Sequence, residues 1–191
     1  MSKYDQNINN TNSTIKNSGC ALTGMANILT EATYMENPNL HPYNDYTHTG
    51  AVNSISPVDL NIQGNFKENT DCLDWNAAAQ RYGYVASRST SNSDAKKMLK
   101  NAAKSNDQEF VLVQVPITIG QGEKQTDTLH WVGYTGNTTK KGNTTWLEII
   151  PTSDNDEIRD IKNSNWMKKD GKIYVKESAV EGVVVVKKKN K

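Results

Sequence analysis

A single change of hydrophobic period, near residue 108, limits what this chain can fold into. Before it, apolar residues recur at helical spacing. After it, β-branched and aromatic residues gather in short runs. Leu22, Met25, Ala26 and Leu29 follow the i, i+3, i+4, i+7 pattern and predict a helix over about 20–31, with Ser18 as its N-cap. A second helix follows Asp71 as N-cap, carries Trp75, Ala78, Ala79 and Tyr82 on one core-facing side, and stops at Gly83. A third follows Ser93. Ala95, Met98, Leu99, Ala102 and Ala103 line one face and Lys96, Lys97, Lys100 and Lys104 the solvent side. Strands are expected at 110–115, closed by Pro116, at 129–134 and 145–150, and then at 172–176 and 182–187. The middle two flank Gly136–Gly142, which reads as the polar tip of an antiparallel hairpin. Helices first and strands second predicts an α+β domain with helices packed on a C-terminal antiparallel sheet.

With 191 residues the chain suits one domain with a substantial core. Residues 32–70 are rich in Asn, Thr, Pro, Gly and Tyr and show no period. They read as a long irregular insertion, either a binding edge lined by Tyr34, Tyr43, Tyr46 and Phe66 or a surface loop that these side chains pin down. The charge is balanced, 22 basic against 21 acidic residues, so nucleic acid is not an expected partner. Lys187, Lys188, Lys189 and Lys191 read as a solvated tail. No signal-peptide pattern or membrane-spanning apolar run is visible, which places synthesis in the cytoplasm and leaves action elsewhere dependent on release. The oligomeric state is not encoded in any motif.

Chemistry concentrates at Cys20. At the first turn of the predicted helix, unpaired N–H groups and the positive end of the dipole favour an anion, so the thiol pKa is expected to be lowered. A disulfide to Cys72 is the bland alternative for two cysteines; without a secretion signal, Cys72 reads instead as a small buried residue at a helix start. A nucleophilic thiol needs a general base and oxyanion donors. Of the three histidines, His41 and His48 fall in aperiodic sequence, whereas His130 opens the strand-like run Leu129-His130-Trp131-Val132-Gly133-Tyr134. Gln6, in Tyr4-Asp5-Gln6, carries an amide suited to an oxyanion.

In this order, Tyr4-Asp5-Gln6, Ser18-Gly19-Cys20 opening a helix, and His130-Trp131-Val132-Gly133-Tyr134-Thr135-Gly136 resemble the papain-like bacteriocin-processing (double-glycine leader) peptidases and their stand-alone relatives. The resemblance spans most of the chain. It implies a papain-like fold with Gln6 as oxyanion donor, Cys20 as nucleophile and His130 as base, and it calls for no cofactor. The chain departs from the family where an Asp before a Pro is usual, because Ile150 precedes Pro151. Asp154 is the favoured substitute as third triad member; Ser153, Thr152 and Glu148 are the other candidates.

The expected activity is hydrolysis of a peptide or amide bond through a Cys–His mechanism. The substrate would be a peptide, with the peptides of the bacterial cell wall suggested by the stand-alone relatives, as for a phage endolysin released by a separate membrane-permeabilising protein. Two other readings use the same residues: a papain-like binding module whose chemistry has lapsed, and an acyl-transferase of transglutaminase type. The run Asp154-Asn155-Asp156-Glu157 with Asp160 offers hard oxygens for calcium, but lacks the spacing of an EF-hand loop and reads as a solvated turn. No spacing suits zinc.

Overall fold

The valine run of residues 183–186 is apolar without alternation because its strand is interior to the sheet and covered on both faces. In the computed structural model, which describes residues 7–8, 19–36, 55–67, 72–102, 109–119, 126–150 and 164–189, this strand is the last of seven. They are β1 (Tyr84–Arg88), β2 (Glu109–Ile119), β3 (Thr126–Lys141), β4 (Thr144–Ile150), β5 (Trp166–Lys169), β6 (Lys172–Lys176) and β7 (Gly182–Lys188). The helices are α1 (Cys20–Glu36), α2 (Pro57–Leu60), α3 (Trp75–Gln80) and α4 (Asn92–Ala102). The strands make one antiparallel sheet in the order β1-β7-β2-β3-β4-β6-β5. The fold thus mixes helix with a large antiparallel sheet.

Two apolar cores lie on the two faces. On one, Leu22, Met25, Ala26 and Leu29 of α1 and Trp75, Ala78 and Ala79 of α3 pack against Leu112, Trp131, Val184 and Val186. On the other, Ala95 and Leu99 of α4 join Val111, Val113, Val115, Val132, Leu147, Ile149, Ile173, Val175 and Val183. The strict two-residue alternation along β2 and β7 feeds both cores from the same strands. The Trp166 Nε1–H donates to the Pro116 carbonyl at 2.9 Å. This bond brings edge strand β5 back to β2, so the sheet curls around the second core.

Several sequence expectations need correction. The order helices-then-strands is broken by β1, which stands between α3 and α4 and pairs with β7, Tyr84 opposite Lys188. The short edge strand β5 was also not anticipated. The expected hairpin tip is strand: β3 runs on to Lys141 and turns at Gly142–Asn143, after an irregularity in which Tyr134 pairs with Ile149 but Thr138 with Leu147. Strand β7 runs one residue past its expected end, to Lys188, and Lys187, Lys188 and Lys189 are exposed. The cap of α3 is Asp74, whose carboxylate accepts from the Ala77 N–H at 3.0 Å; Asp71 lies outside the described residues. The helix expected after Ser93 begins earlier, at Asn92, and is capped by Ser91, whose hydroxyl accepts from the Asp94 N–H at 3.2 Å. Gly83 does end the turn after α3, with φ +83°.

The expected irregular insertion is structured at both ends. The α1 helix continues to Glu36, and α2 is held by a capping box in which Ser56 and Asp59 exchange side-chain bonds to each other's N–H. Leu60 and Phe66 are buried in the first core, so Phe66 pins this segment and lines no groove. Tyr43 and Tyr46 lie outside the described residues. Asn65, fully buried, bonds the Leu60 carbonyl through its amide N–H and accepts from Arg81 Nε at 2.7 Å. No helix among the described residues is long and apolar enough to cross a membrane.

Candidate active site

Cys20 is the first residue of α1. The Thr23 N–H donates to the Gly19 carbonyl at 2.8 Å, which makes Gly19 the capping residue and puts Cys20 in position N1. Ser18, expected as the cap, lies outside the described residues. With glycine there, no side chain competes for the first-turn donors. The N–H groups of Cys20 and Ala21 face the Cys20 sulfur, as does the backbone N–H of Trp131 on β3.

That third donor locates the site. The Trp131 N–H belongs to the peptide that joins it to His130. Standard bond lengths and hydrogen-bond reach then place the sulfur within roughly 7 Å of the His130 Cα. Strand β4 ends at Ile150, opposite Gly133. Among the described residues the β4 ladder therefore stops short of Trp131, and the start of α1 meets β3 along the edge that remains.

The two side chains at this peptide diverge. Trp131 pairs with Gln114 and enters the first core, its ring 4.8 Å from that of Trp75 at an interplanar angle of 60°. A Cβ at Gly182 would sit 2.8 Å from the Gln114 amide oxygen and 3.2 Å from the Trp131 ring, so glycine there admits the indole. His130 pairs with Val115, which faces the second core, and strand alternation directs the imidazole to that side. Cys20 packs against the first core, on the side of Trp131, and its sulfur meets the strand at the Trp131 N–H.

Burial dominates the electrostatics. It pushes the Cys20 thiol above its ordinary pKa and outweighs the three N–H donors, which act in the opposite direction. The expectation of a lowered thiol pKa is thereby corrected: the helix-terminus argument counted donors and left out desolvation. The same burial lowers His130 to about 4. At neutral pH both groups are held in their neutral forms.

His130 also makes stability depend on pH. Its folded pKa of about 4 lies below the ordinary 6.5, so between these values the unfolded chain binds more protons. Stability is fully present above pH 6.5 and is lost as pH falls towards 4. The loss expected from this group is up to roughly 3 kcal/mol. Denaturant titrations of wild type and His130→Gln at pH 7 and pH 4 measure it. The variant should lose less between those pH values, and equal losses would contradict the burial of the imidazole.

The remaining candidates are placed unevenly. Gln6 lies outside the described residues, but the chain is fastened immediately after it: the Asn7 carbonyl accepts from the Asn61 amide at 2.8 Å, and Ile8 is buried in the first core. Asp154, Ser153 and Thr152, the acidic run around Asp156, and His41 and His48 lie outside the described residues. Glu148 is described and fails as a triad member. Its carboxylate pairs with Lys172 Nζ at 3.0 Å. It lies opposite the Tyr134–Thr138 irregularity, roughly 15 Å along β3 from His130 at ~3.4 Å per residue. Cys20 and Cys72 are not joined in a disulfide, and Cys72 is exposed, not buried at a helix start.

Sequence reasoning missed Trp131 as a partner of the sulfur, because its contribution is a backbone donor and no side-chain motif announces one. No protein-family model matches the chain, and the search of curated proteins finds no match.

Proposed function

We propose that this protein is a papain-like cysteine hydrolase acting on peptide or amide bonds, with bacterial cell-wall peptides as the substrate class to test first. The observation that carries the reading is the meeting of the Cys20 sulfur with the His130–Trp131 peptide, two parts of the chain far apart in sequence. The neutral resting pair defines the mechanism. His130 reaches the sulfur round the edge of β3 and takes the thiol proton as sulfur attacks the carbonyl carbon. The tetrahedral oxyanion accepts from the Cys20 N–H and the Gln6 amide. His130 then returns its proton to the leaving amine as the carbon–nitrogen bond breaks. Water, losing a proton to His130, cleaves the thioester and frees the acid and the thiol. Asp154 is the proposed orienter of His130.

The neutral pair also favours a second reading, a binding module whose chemistry has lapsed, since a buried thiol with a raised pKa is a poor nucleophile at rest. Kinetics distinguish the two. For the hydrolase, kcat/KM on a cell-wall peptide should fall on the acid side with an apparent pKa near 4, where His130 gains its proton, and not near 6.5. Clearing of purified cell walls in a gel, together with thioester capture by added amine, separates hydrolysis from acyl transfer. Failure to turn over cell-wall material and simple peptides alike, with Cys20 alkylated no faster than an ordinary thiol, would establish the binding module.

A further inference from the structure

The strand row that carries Tyr84 and Ala86 into the first core continues on the same face to Arg88, opposite Val184. Tyr84 is buried and Arg88 is exposed, so the row leaves the core at its rim. There the guanidinium lies 5.4 Å from the centre of the Trp131 ring. The indole is thus covered by Trp75 inside and by Arg88 outside, while its backbone N–H faces the Cys20 sulfur. No carboxylate among the described residues forms an ion pair with Arg88. A guanidinium held over a ring keeps its edge donors directed outward in a fork that matches a carboxylate. Arg88 and the Cys20 sulfur both contact Trp131, which keeps them within roughly 15 Å of each other, a span of a few residues of extended peptide at ~3.3 Å each.

We infer that Arg88 is a specificity-determining residue that binds a carboxylate of the substrate a few residues from the bond attacked by Cys20. This rests on the hydrolase reading above, and it narrows the substrate class to acidic peptides. Trp131 fixes the spacing: one side chain supports the cation and its backbone abuts the nucleophile.

Matched electrophiles test the inference without a known substrate. N-iodoacetyl-γ-aminobutyrate and its carboxamide differ by one carboxylate, and each alkylates a thiol by forming a carbon–sulfur bond with loss of iodide and of the thiol proton. Exposed Cys72 serves as the internal reference, and mapping by peptide mass assigns the sites. At Cys20 the acid probe should react about tenfold faster than the amide, relative to the same ratio at Cys72. Arg88→Gln should bring the ratio to that of Cys72, Arg88→Glu should invert it, and Arg88→Lys should retain part of it. A ratio at Cys20 equal to that at Cys72, or one unchanged in Arg88→Gln, overturns the inference and leaves the hydrolase reading in place. No labelling of Cys20 by either probe removes both.

Discussion

Cys20→Ala should abolish hydrolysis while the protein melts where it did before. The sulfur is the only atom the mechanism makes covalent, and alanine retains the Cβ at position N1. Loss of a nucleophile that works with a base lowers kcat/KM by at least ~10³-fold. The cost to stability should be about 1 kcal/mol or less, because the residue is only partly buried and the three N–H donors that face the sulfur gain access to water. Side-by-side turnover and thermal melts suffice. Activity that survives the substitution, in protein free of wild type, would refute the assignment of Cys20.

Trp131→Ala should have the largest effect on stability, about 3–5 kcal/mol. The indole is 5% exposed and fills the space between Trp75, Gly182 and Arg88. Gly182 has no side chain to move into the hole. The aromatic pair adds a smaller term, about 0.5–1.5 kcal/mol, which Trp131→Phe should largely keep. Urea unfolding with an unchanged slope measures both. A cost below about 1 kcal/mol for the alanine variant would mean that this ring does not hold α3 to the sheet. The alanine variant should also lose the acid-probe preference at Cys20, as its support under Arg88 is gone.

The sequence was most legible where packing enforces a period. Leu22, Met25, Ala26 and Leu29 face the core as their spacing predicts, and the valines of β7 read as a buried strand. The β1 strand was hidden because Tyr-Val-Ala-Ser-Arg is only five residues long, sits between two helices, and finds its partner only in the last described strand. The far half of β3 was hidden by its polarity: Asn137 to Lys141 are mostly exposed and borrow their regularity from pairing with β4. Choosing Asp74 over Asp71 as a cap depends on which carboxylate reaches an N–H two or three residues on, a matter of ångströms. At the site, the juxtaposition of Cys20 with the strand that carries His130 followed from order of motifs, although β3 begins at Thr126 and not at His130. The sign of the thiol shift did not, because burial is a property of the whole fold.

The position of β7 between β1 and β2 has a consequence for how the chain is made. Until β7 has been synthesised, β1 has no strand partner and β2 can pair only with β3, so a nascent chain carries unclosed strand edges up to that point. Contacts between residues a hundred positions apart also slow folding once the chain is free, through the entropy of closing so long a loop. During that interval Val111 and its neighbours are exposed to other nascent chains, and a chaperone that shields extended apolar segments should raise the yield of folded protein more than it raises its stability.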